Sequence, residues 1–280
     1  MRAIDTHVHV FDPARFPYRP HTTYQPLPNE TAPADHLIAV LDAHQVSHAI
    51  VVTPMAGYQS DNAVTLDALA QYSDRLRGIA VVEAGTTAAE LHALKARNVL
   101  GARVDLIGRG TRYLLDEGRR LPAMLREQGM VLQIQCEGDQ LAEVSDLLAS
   151  EAGTVLIDHM GRPDPARGLD QPGFKALLGL ARRSDVHVKL SGPFRFSQTP
   201  SPHADIEPYV AALLRSFGPQ RCVWGSDWPF IRMDRRLDYG PTLALVARWL
   251  PDARDRLAVL WDTPARLFGL EGGAPVSRRP

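Results

Sequence analysis

Three short motifs carry the side chains best suited to catalysis. The run DTHVH at residues 5–9 holds two histidines two residues apart, DHMG at 158–161 holds a third, and WGSDW at 224–228 holds a carboxylate between two indoles. Side chains two apart on a strand point to the same face, so His7 and His9 can converge on one metal ion or one carbonyl oxygen. We therefore expect His7, His9, His159 and Asp227 to form the catalytic site.

Each motif also has a simpler interpretation. A single His-x-His pair is common by chance, a buried histidine such as His159 is often just a hydrogen-bonded core residue, and Asp227 by itself could cap a helix. The joint occurrence of all four residues at the ends of predicted strands favours a functional set. Asp227 could bind a metal or take a proton from water, and an apolar wall would raise its pKa toward that of a base.

Arginines near these motifs predict an anionic substrate. Arg103 lies inside a predicted strand, Arg109 lies in the loop that follows it, and Arg195 follows a later strand. The planar guanidinium suits two-point capture of a carboxylate. Surface arginines are the alternative, which is weakest for Arg103, since a charge inside a strand needs a partner.

Along the chain, β-rich runs alternate with segments of helical periodicity, as expected for parallel strands joined by crossover helices. Several runs are apolar on successive residues, which is typical of strands covered on both faces. The eight predicted strands are Ala3–His9, Ala49–Thr53, Gly78–Val82, Gly101–Leu106, Val131–Gln135, Thr154–His159, His187–Ser191 and Cys222–Ser226.

Eight such units predict an α/β protein, a (β/α)8 TIM barrel. We expect one barrel domain over residues 1–270 that ends in a helical cap, followed by a tail at 271–280. Long Pro-containing loops at 13–33 and 193–208 follow the first and seventh strands. Catalytic side chains of such barrels come from the C-terminal ends of the strands, so these loops should overhang the site.

Composition excludes several other functions. The 31 basic and 32 acidic residues nearly balance, and no basic block favours nucleic acid. Two cysteines are too few for a disulfide framework, and no apolar run reaches the roughly 18 residues of a membrane span. The first residues lack a secretory signal pattern, so we expect a cytoplasmic protein with a small-molecule partner, either monomeric or a homo-oligomer. Gly-x-Ser-x-Gly elbows and phosphate-binding glycine loops are also missing from the sequence.

The motifs DTHVHVFDP, DHMGRPD, VKLSG and WGSDWP, in this order, resemble the amidohydrolase 2 group of the amidohydrolase superfamily, and the likeness covers almost the whole chain. Within that group the sequence is most similar to 2-pyrone-4,6-dicarboxylate lactonases and related muconolactone and sugar-acid hydrolases. Two positions depart from the pyrone-dicarboxylate enzymes: Gln135 stands where they have a tyrosine, and Phe230-Ile231-Arg232 replaces a His-rich segment.

The resemblance implies roles for individual residues. Asp227 would activate water, while His7, His9 and His159 would surround the carbonyl of the lactone. The substrate-binding positions implied are Arg103, Arg109, Arg195, Arg162, Tyr24 and Thr53, with the arginines holding carboxylates and the last two forming polar walls.

The superfamily usually binds one or two divalent metals, and a carboxylated lysine commonly bridges two. No lysine ends a strand in the middle of this chain, and Lys189 comes too late in the order, so we predict no binuclear site. Some lactonases of this kind are said to work without metal. The sequence predicts either no required cofactor or one Zn²⁺ held by His7, His9, His159 and Asp227.

The sequence thus predicts a hydrolase that opens a small carboxylated lactone by attack of water on the ring carbonyl. A metal-dependent decarboxylase of the same superfamily is one alternative, because it would share the His-x-His motif and the final aspartate. A barrel that only binds a sugar acid is another.

Overall fold

The computed structural model describes residues 2–183 and 185–270. Eight parallel strands pair in chain order and curl into a TIM barrel, as predicted. The strands are β1 (Ile4–Val8), β2 (His48–Val52), β3 (Leu76–Val81), β4 (Val99–Asp105), β5 (Val131–Gln135), β6 (Val155–Ile157), β7 (Val186–Ser191) and β8 (Cys222–Gly225).

Helices cover the outside of the barrel between successive strands. They are α1 (Ala34–Ala43), α2 (Ala63–Gln71), α3 (Ala88–Lys95), α4 (Leu121–Glu127), α5 (Gln140–Glu151), α6 (Pro172–Leu180), α7 (Glu207–Phe217) and α8 (Tyr239–Trp249). A capping box begins α3, in which the Thr87 and Glu90 side chains each accept from the other residue's backbone N–H.

The backbone that closes the barrel also places the candidate carboxylate. Where the segment after β8 runs beside the end of β1, the His9 N–H donates to the Trp228 carbonyl at 2.9 Å, and the Asp227 N–H donates to the His7 carbonyl at 2.8 Å. Two backbone hydrogen bonds therefore hold the segment after β8 against the His-x-His motif. Asp227 reaches the histidines because the sheet closes at this point.

An irregular register in β1 decides which of its side chains face the barrel interior. Pairing with β2 shifts between Asp5 and Val8. Ile4 packs inside the barrel with Val131 and Leu156, and His7, three residues later, also points inward. A regular strand would place residues three apart on opposite faces, so the shift is what brings both inside.

The far end of the barrel is closed by the end of the described chain. Ala253–Leu257, Ala258–Asp262 and Thr263–Leu267 form the predicted helical cap. Ala265, Phe268 and Leu270 pack on the interior residues of that end. This plug leaves the C-terminal ends of the strands as the open end.

The main error in the predicted element bounds concerns β6. It was expected to run through His159 but ends at Ile157, and Asp158–Gly161 forms a tight turn instead. His159 and Met160 have φ of 47° and 58° there, in the left-handed region. His159 thus sits on a turn at the strand exit and not within the strand.

Within the described residues, no helix combines the length and apolar character needed to cross a membrane. The predicted tail at 271–280 lies outside the described residues. The cytoplasmic location and the oligomeric state stay predictions from the sequence.

Candidate active site

The four residues of the predicted catalytic set meet at the open end of the barrel. Asp227 Oδ1 lies 3.4 Å from His9 Nε2 and 3.8 Å from His7 Nε2, and Asp227 Oδ2 lies 3.9 Å from His159 Nε2. All four side chains are buried. Residues far apart in sequence therefore form one compact centre with the carboxylate in the middle.

Each histidine is oriented by a contact at its second ring nitrogen. His9 Nδ1 lies 2.7 Å from the carbonyl of Val52, and His159 Nδ1 lies 2.9 Å from Ser191 Oγ. His7 Nδ1 lies 3.0 Å from Lys189 Nζ. These contacts fix the three Nε2 atoms toward Asp227.

Two glycines make the approach of the rings possible. A Cβ on Gly192 would lie 2.6 Å from His159 Nδ1, and a Cβ on Gly225 would lie 2.6 Å from His7 Cβ. Gly192 also has φ of +57°, which favours glycine. The glycine in the motif VKLSG and the glycine in WGSDW are therefore needed because a side chain at either position would collide with a histidine.

The expected rise in the pKa of Asp227 is wrong. Burial alone would raise it, but Arg195 and the neighbouring histidines outweigh burial and hold the pKa of Asp227 well below its usual range. Arg195 Nε donates to Asp227 Oδ2 at 2.6 Å, and its Nη1 donates to the Ile231 carbonyl at 2.6 Å. The wall around this carboxylate is cationic and not apolar.

Sequence reasoning missed a buried network beneath His7. Lys189 Nζ lies 3.1 Å from Asp158 Oδ1, and Asp158 Oδ2 accepts from Gln133 Nε2 at 2.9 Å. The signal was present in β7, where the polar residues His187, Lys189 and Ser191 alternate with apolar ones. Because the apolar set packs against the outer helices, the polar set must line the interior.

Two further arginines are buried near the centre. Arg103 Nη2 donates to the Thr53 carbonyl at 2.9 Å, and its Nε has no hydrogen-bond partner within the described residues. Arg162, which follows the His159 turn, is mostly buried, and its Nε is likewise without a partner there. Neither forms an ion pair with a described carboxylate, which makes both suited to an anion.

Arg109 is placed differently from the expectation. Its two terminal nitrogens bind both oxygens of Glu83, at 2.5 and 2.7 Å, and its guanidinium stacks 4.5 Å from the Tyr113 ring. The Glu83 carboxylate already occupies the Arg109 guanidinium that was predicted to bind the substrate. The structure does not join Arg109 to the central cluster.

The two predicted wall residues use their hydroxyls in contacts within the protein, and their role at the site stays a prediction. The Thr53 hydroxyl is fully buried and donates to Thr65 of α2 at 2.9 Å, and the Thr53 carbonyl accepts from Arg103. The Tyr24 hydroxyl donates to Glu30 at 2.5 Å. Both hydroxyls serve the scaffold.

The loops after β1 and β7 both reach the open end, as expected from their positions. Glu30 accepts from the backbone N–H of Arg232 at 2.7 Å, which ties the β1 loop to the segment after Asp227. The Arg232 guanidinium lies 4.7 Å from the Tyr24 ring. The β7 loop supplies Arg195. Together they enclose the cluster and limit the access of water.

Positive charge exceeds negative charge around this centre. Around the histidines, the buried or mostly buried cations are Arg103, Arg162, Lys189 and Arg195, and the carboxylates are Asp5, Asp158 and Asp227. Glu30 in the β1 loop is also buried, but it binds the Tyr24 hydroxyl and the backbone N–H groups of Leu27 and Arg232. Of the carboxyls, Asp5 has its pKa raised to about 6 by burial, so it is the one most easily neutralised. An anionic ligand would relieve this imbalance, and a divalent cation would increase it.

The donor set at this centre fits a metal ion only in part. His7, His159 and Asp227 offer ligand atoms within 4.8 Å of one another, while His9 falls outside that group. The expected four-ligand zinc site is assembled only in part. Arg195 already neutralises Asp227, and Lys189 lies against His7, so the surroundings do not fit a second positive centre.

Comparisons with known proteins show the family of this chain. A model of the amidohydrolase family, Amidohydro_2, matches residues 4–270. The sequence is 36% identical over 274 residues to a 4-sulfomuconolactone hydrolase of Rhizobium radiobacter, covering 96% of this chain and 90% of the relative. It is 30% identical over 278 residues to a 2-pyrone-4,6-dicarboxylate hydrolase of Comamonas testosteroni, covering 95% of this chain and 90% of the relative.

A solved structure is similar over the same length. A protein of Acinetobacter baumannii, described as a probable 2-pyrone-4,6-dicarboxylic acid hydrolase with citric acid bound, superposes with a TM-score of 0.86 at 28% identity. The match covers 96% of this chain and 100% of that one. The structural similarity therefore extends over nearly the whole chain.

Proposed function

We propose, from the premise that this chain belongs to the amidohydrolase family, that it hydrolyses a small lactone carrying carboxylates or similar anionic groups. The two curated relatives described above are named as lactone hydrolases, in agreement with the resemblance seen in the sequence. The single observation that carries the proposal is the buried Asp227 carboxylate ringed by three histidines beside unpaired arginines.

The surplus of buried cations supports the anionic character of the substrate. Arg103 and Arg162 have hydrogen-bonding capacity that no described carboxylate uses, and Arg195 can exchange Asp227 for a substrate carboxylate. The similar structure from Acinetobacter was solved with citric acid, a tricarboxylic acid. We assign Arg103, Arg162 and Arg195 to the anionic groups of the substrate, and we place Arg109 at the rim.

The exchange at Arg195 has a chemical consequence. While its guanidinium binds Asp227, the carboxylate is a weak base, because the cation stabilises its charged form. A substrate anion that draws Arg195 away removes that stabilisation and raises the basicity of Asp227. Binding of the correct substrate would thus activate the base, which limits hydrolysis to anionic lactones.

The reaction proceeds by addition and elimination at the ring carbonyl. Asp227 takes one proton from water as the water oxygen bonds to the carbonyl carbon, and the carbonyl oxygen becomes an oxyanion. His7 and His159, whose Nε2 atoms face Asp227, stabilise that oxyanion by hydrogen bonding. The tetrahedral carbon then expels the ring oxygen, which takes the proton back from Asp227, and a hydroxy acid or its keto form results.

No step of this mechanism is assigned to a metal. The surplus of positive charge and the Arg195 contact on Asp227 argue against a divalent ion at His7, His159 and Asp227. We therefore propose that no metal is required. Hydrolysis at an unchanged rate after treatment with a chelator is the expected result.

Replacement of Asp227 tests the assignment of the base. Asp227→Asn should lower kcat by ~10²-fold or more, because the amide cannot accept the proton from water. The measurement is acid release from a panel of lactones with and without carboxylate or sulfonate groups, compared with Asp170→Asn, which changes a highly exposed carboxylate. Near-normal hydrolysis by folded Asp227→Asn would refute the role of Asp227, and inactivity of the unaltered protein on all anionic lactones would refute the function.

A further inference from the structure

We infer that Lys189 holds His7 as the tautomer protonated at Nε2, so that His7 donates a hydrogen bond to the reacting carbonyl oxygen and does not ligate a metal. Lys189 is fully buried beneath the histidine and lies on the side away from Asp227. It is therefore a positioning residue that acts through His7. The part of the inference in which His7 donates to the reacting carbonyl rests on the proposed function. The assignment of the His7 tautomer does not.

The contact at His7 Nδ1 sets the tautomer. An ammonium group can only donate hydrogen bonds, and Lys189 Nζ lies 3.0 Å from His7 Nδ1, so that nitrogen must present its lone pair. A lone pair at Nδ1 also means that the ring is neutral, because an imidazolium carries a proton on both nitrogens. A neutral imidazole has a single N–H, which must then be at Nε2.

The charge on Lys189 is supported from its other side. Asp158 Oδ1 lies 3.1 Å from Nζ, both groups are fully buried, and Gln133 holds the other carboxylate oxygen. This ion pair stabilises the ammonium form of Lys189. The competing arrangement, in which His7 Nδ1–H donates to Asp158, uses a longer separation of 3.4 Å and needs an uncharged lysine.

His9 provides a contrast within the same motif. Its Nδ1 lies 2.7 Å from the Val52 carbonyl, which can only accept, so His9 carries its proton on Nδ1. When a histidine protonated at Nδ1 is neutral, its Nε2 carries the lone pair, whereas the tautomer inferred for His7 carries its N–H at Nε2. A metal bound by both histidines would need a lone pair from each, which this arrangement does not supply.

The Nε2 atom of His7 has the expected features of a donor for the reaction. It is buried, it lies 3.8 Å from Asp227 Oδ1, and it makes no hydrogen bond to any described residue. A carbonyl oxygen placed beside Asp227 would satisfy it. The bond would strengthen as negative charge develops on that oxygen.

The tautomer can be measured without any substrate. Two-bond ¹H–¹⁵N spectra of protein labelled with ¹⁵N-histidine distinguish protonated from bare ring nitrogens, and the His7 signals are those lost in His7→Asn. We expect His7 protonated at Nε2 and His9 protonated at Nδ1 as an internal reference. A proton on His7 Nδ1 overturns the inference, even if the protein hydrolyses lactones. Lack of any lactone hydrolysis would instead refute the proposed function and leave the tautomer standing.

A lysine variant tests the consequence for metal binding. Lys189→Met should move the His7 proton to Nδ1, where Asp158 accepts it, and should raise the affinity for Zn²⁺ about tenfold or more in calorimetric titration. In the same variant kcat should fall by about 10²-fold with little change in KM, because only the transition-state contact is lost. Lys175→Met, which removes an exposed lysine, is the control. A tautomer that stays unchanged in Lys189→Met overturns the inference, and if that variant does not fold, the spectrum of the unaltered protein decides.

Discussion

At the scale of single residues, the buried arginines without a carboxylate partner among the described residues indicate a ligand site. Histidines that only packed in the core would not need them. Burying a guanidinium without a carboxylate costs desolvation free energy, and a bound anionic ligand can offset that cost. Arg162 is the clearest case, since it follows the His159 turn and makes no ion pair within residues 2–183 and 185–270. Arg109, with its fork filled by Glu83, is the counterexample.

Replacing Arg162 should weaken substrate binding in proportion to substrate charge. A charge-assisted hydrogen bond contributes about 1.5–3 kcal/mol, so Arg162→Met should lower kcat/KM for a dicarboxylated lactone by roughly 10–100-fold, mainly through KM. Steady-state kinetics on dicarboxylated and monocarboxylated lactones measures this effect. The control is Arg167→Met. Arg167 lies in the same loop but pairs with Asp139, so its replacement should change neither kcat nor KM. Equal losses on both lactones would contradict an ionic role for Arg162.

At the scale of elements, the turn after β6 and the start of the loop after β7 form one unit. The His159 turn has left-handed residues, and its ring lies against Gly192, which immediately follows the end of β7 at Ser191. Short strands that end in tight turns can hold side chains more firmly than long loops can. His159 is therefore oriented by its backbone turn, by the Ser191 hydroxyl and by the missing side chain at Gly192.

A methyl group at Gly192 should uncouple this unit. Gly192→Ala adds backbone strain of about 1–2 kcal/mol and forces the His159 ring to move, so kcat should fall about tenfold or more and stability should also fall. Kinetics and thermal unfolding are measured beside Gly129→Ala, which has a similar φ of +61° and only an ordinary contact with Lys95. The control should lose stability and keep its activity. Equal activity of the two variants would show that the Gly192 contact does not position His159.

At the scale of the whole molecule, the two ends of the barrel interior differ in polarity and in function. The open end holds the charged cluster, whereas the other end is plugged by the C-terminal helical cap and an apolar layer. His187, the first inward polar residue of β7, is buried, and burial lowers its pKa to about 4, aided by Arg266 and Arg221. It therefore affects stability without contacting the cluster.

His187 should make the protein lose stability on acidification. Its pKa is about 4 in the folded state against 6.5 for the free side chain, so the unfolded chain takes up the proton first as the pH falls through 6.5. The free energy of unfolding should drop by about 2 kcal/mol between about pH 7.5 and about pH 5 from this residue alone. Urea unfolding at both pH values measures it.

The matched comparison is between two histidine variants. His187→Gln should remove that share of the pH dependence, and His92→Gln, which changes an exposed histidine of α3, should leave it intact. The same slope in His187→Gln and in the unaltered protein would rule out His187 as its source.

The sequence by itself determined the architecture and the identity of the central four residues. Eight apolar runs with intervening helical periods predict a barrel because strands covered on both faces need helices around them. His7, His9, His159 and Asp227 could be assigned because each lies where a predicted strand ends, and strand ends converge at one edge of a parallel barrel.

Only the tertiary structure decided the protonation and charge relationships. The pairing of Asp227 with Arg195, of Arg109 with Glu83 and of His7 with Lys189 joins residues on different elements, and no local pattern encodes those distances. The wrong pKa expectation for Asp227 has the same origin. A pKa depends on which charges lie within a few ångströms, and those neighbours exist only once the barrel has closed.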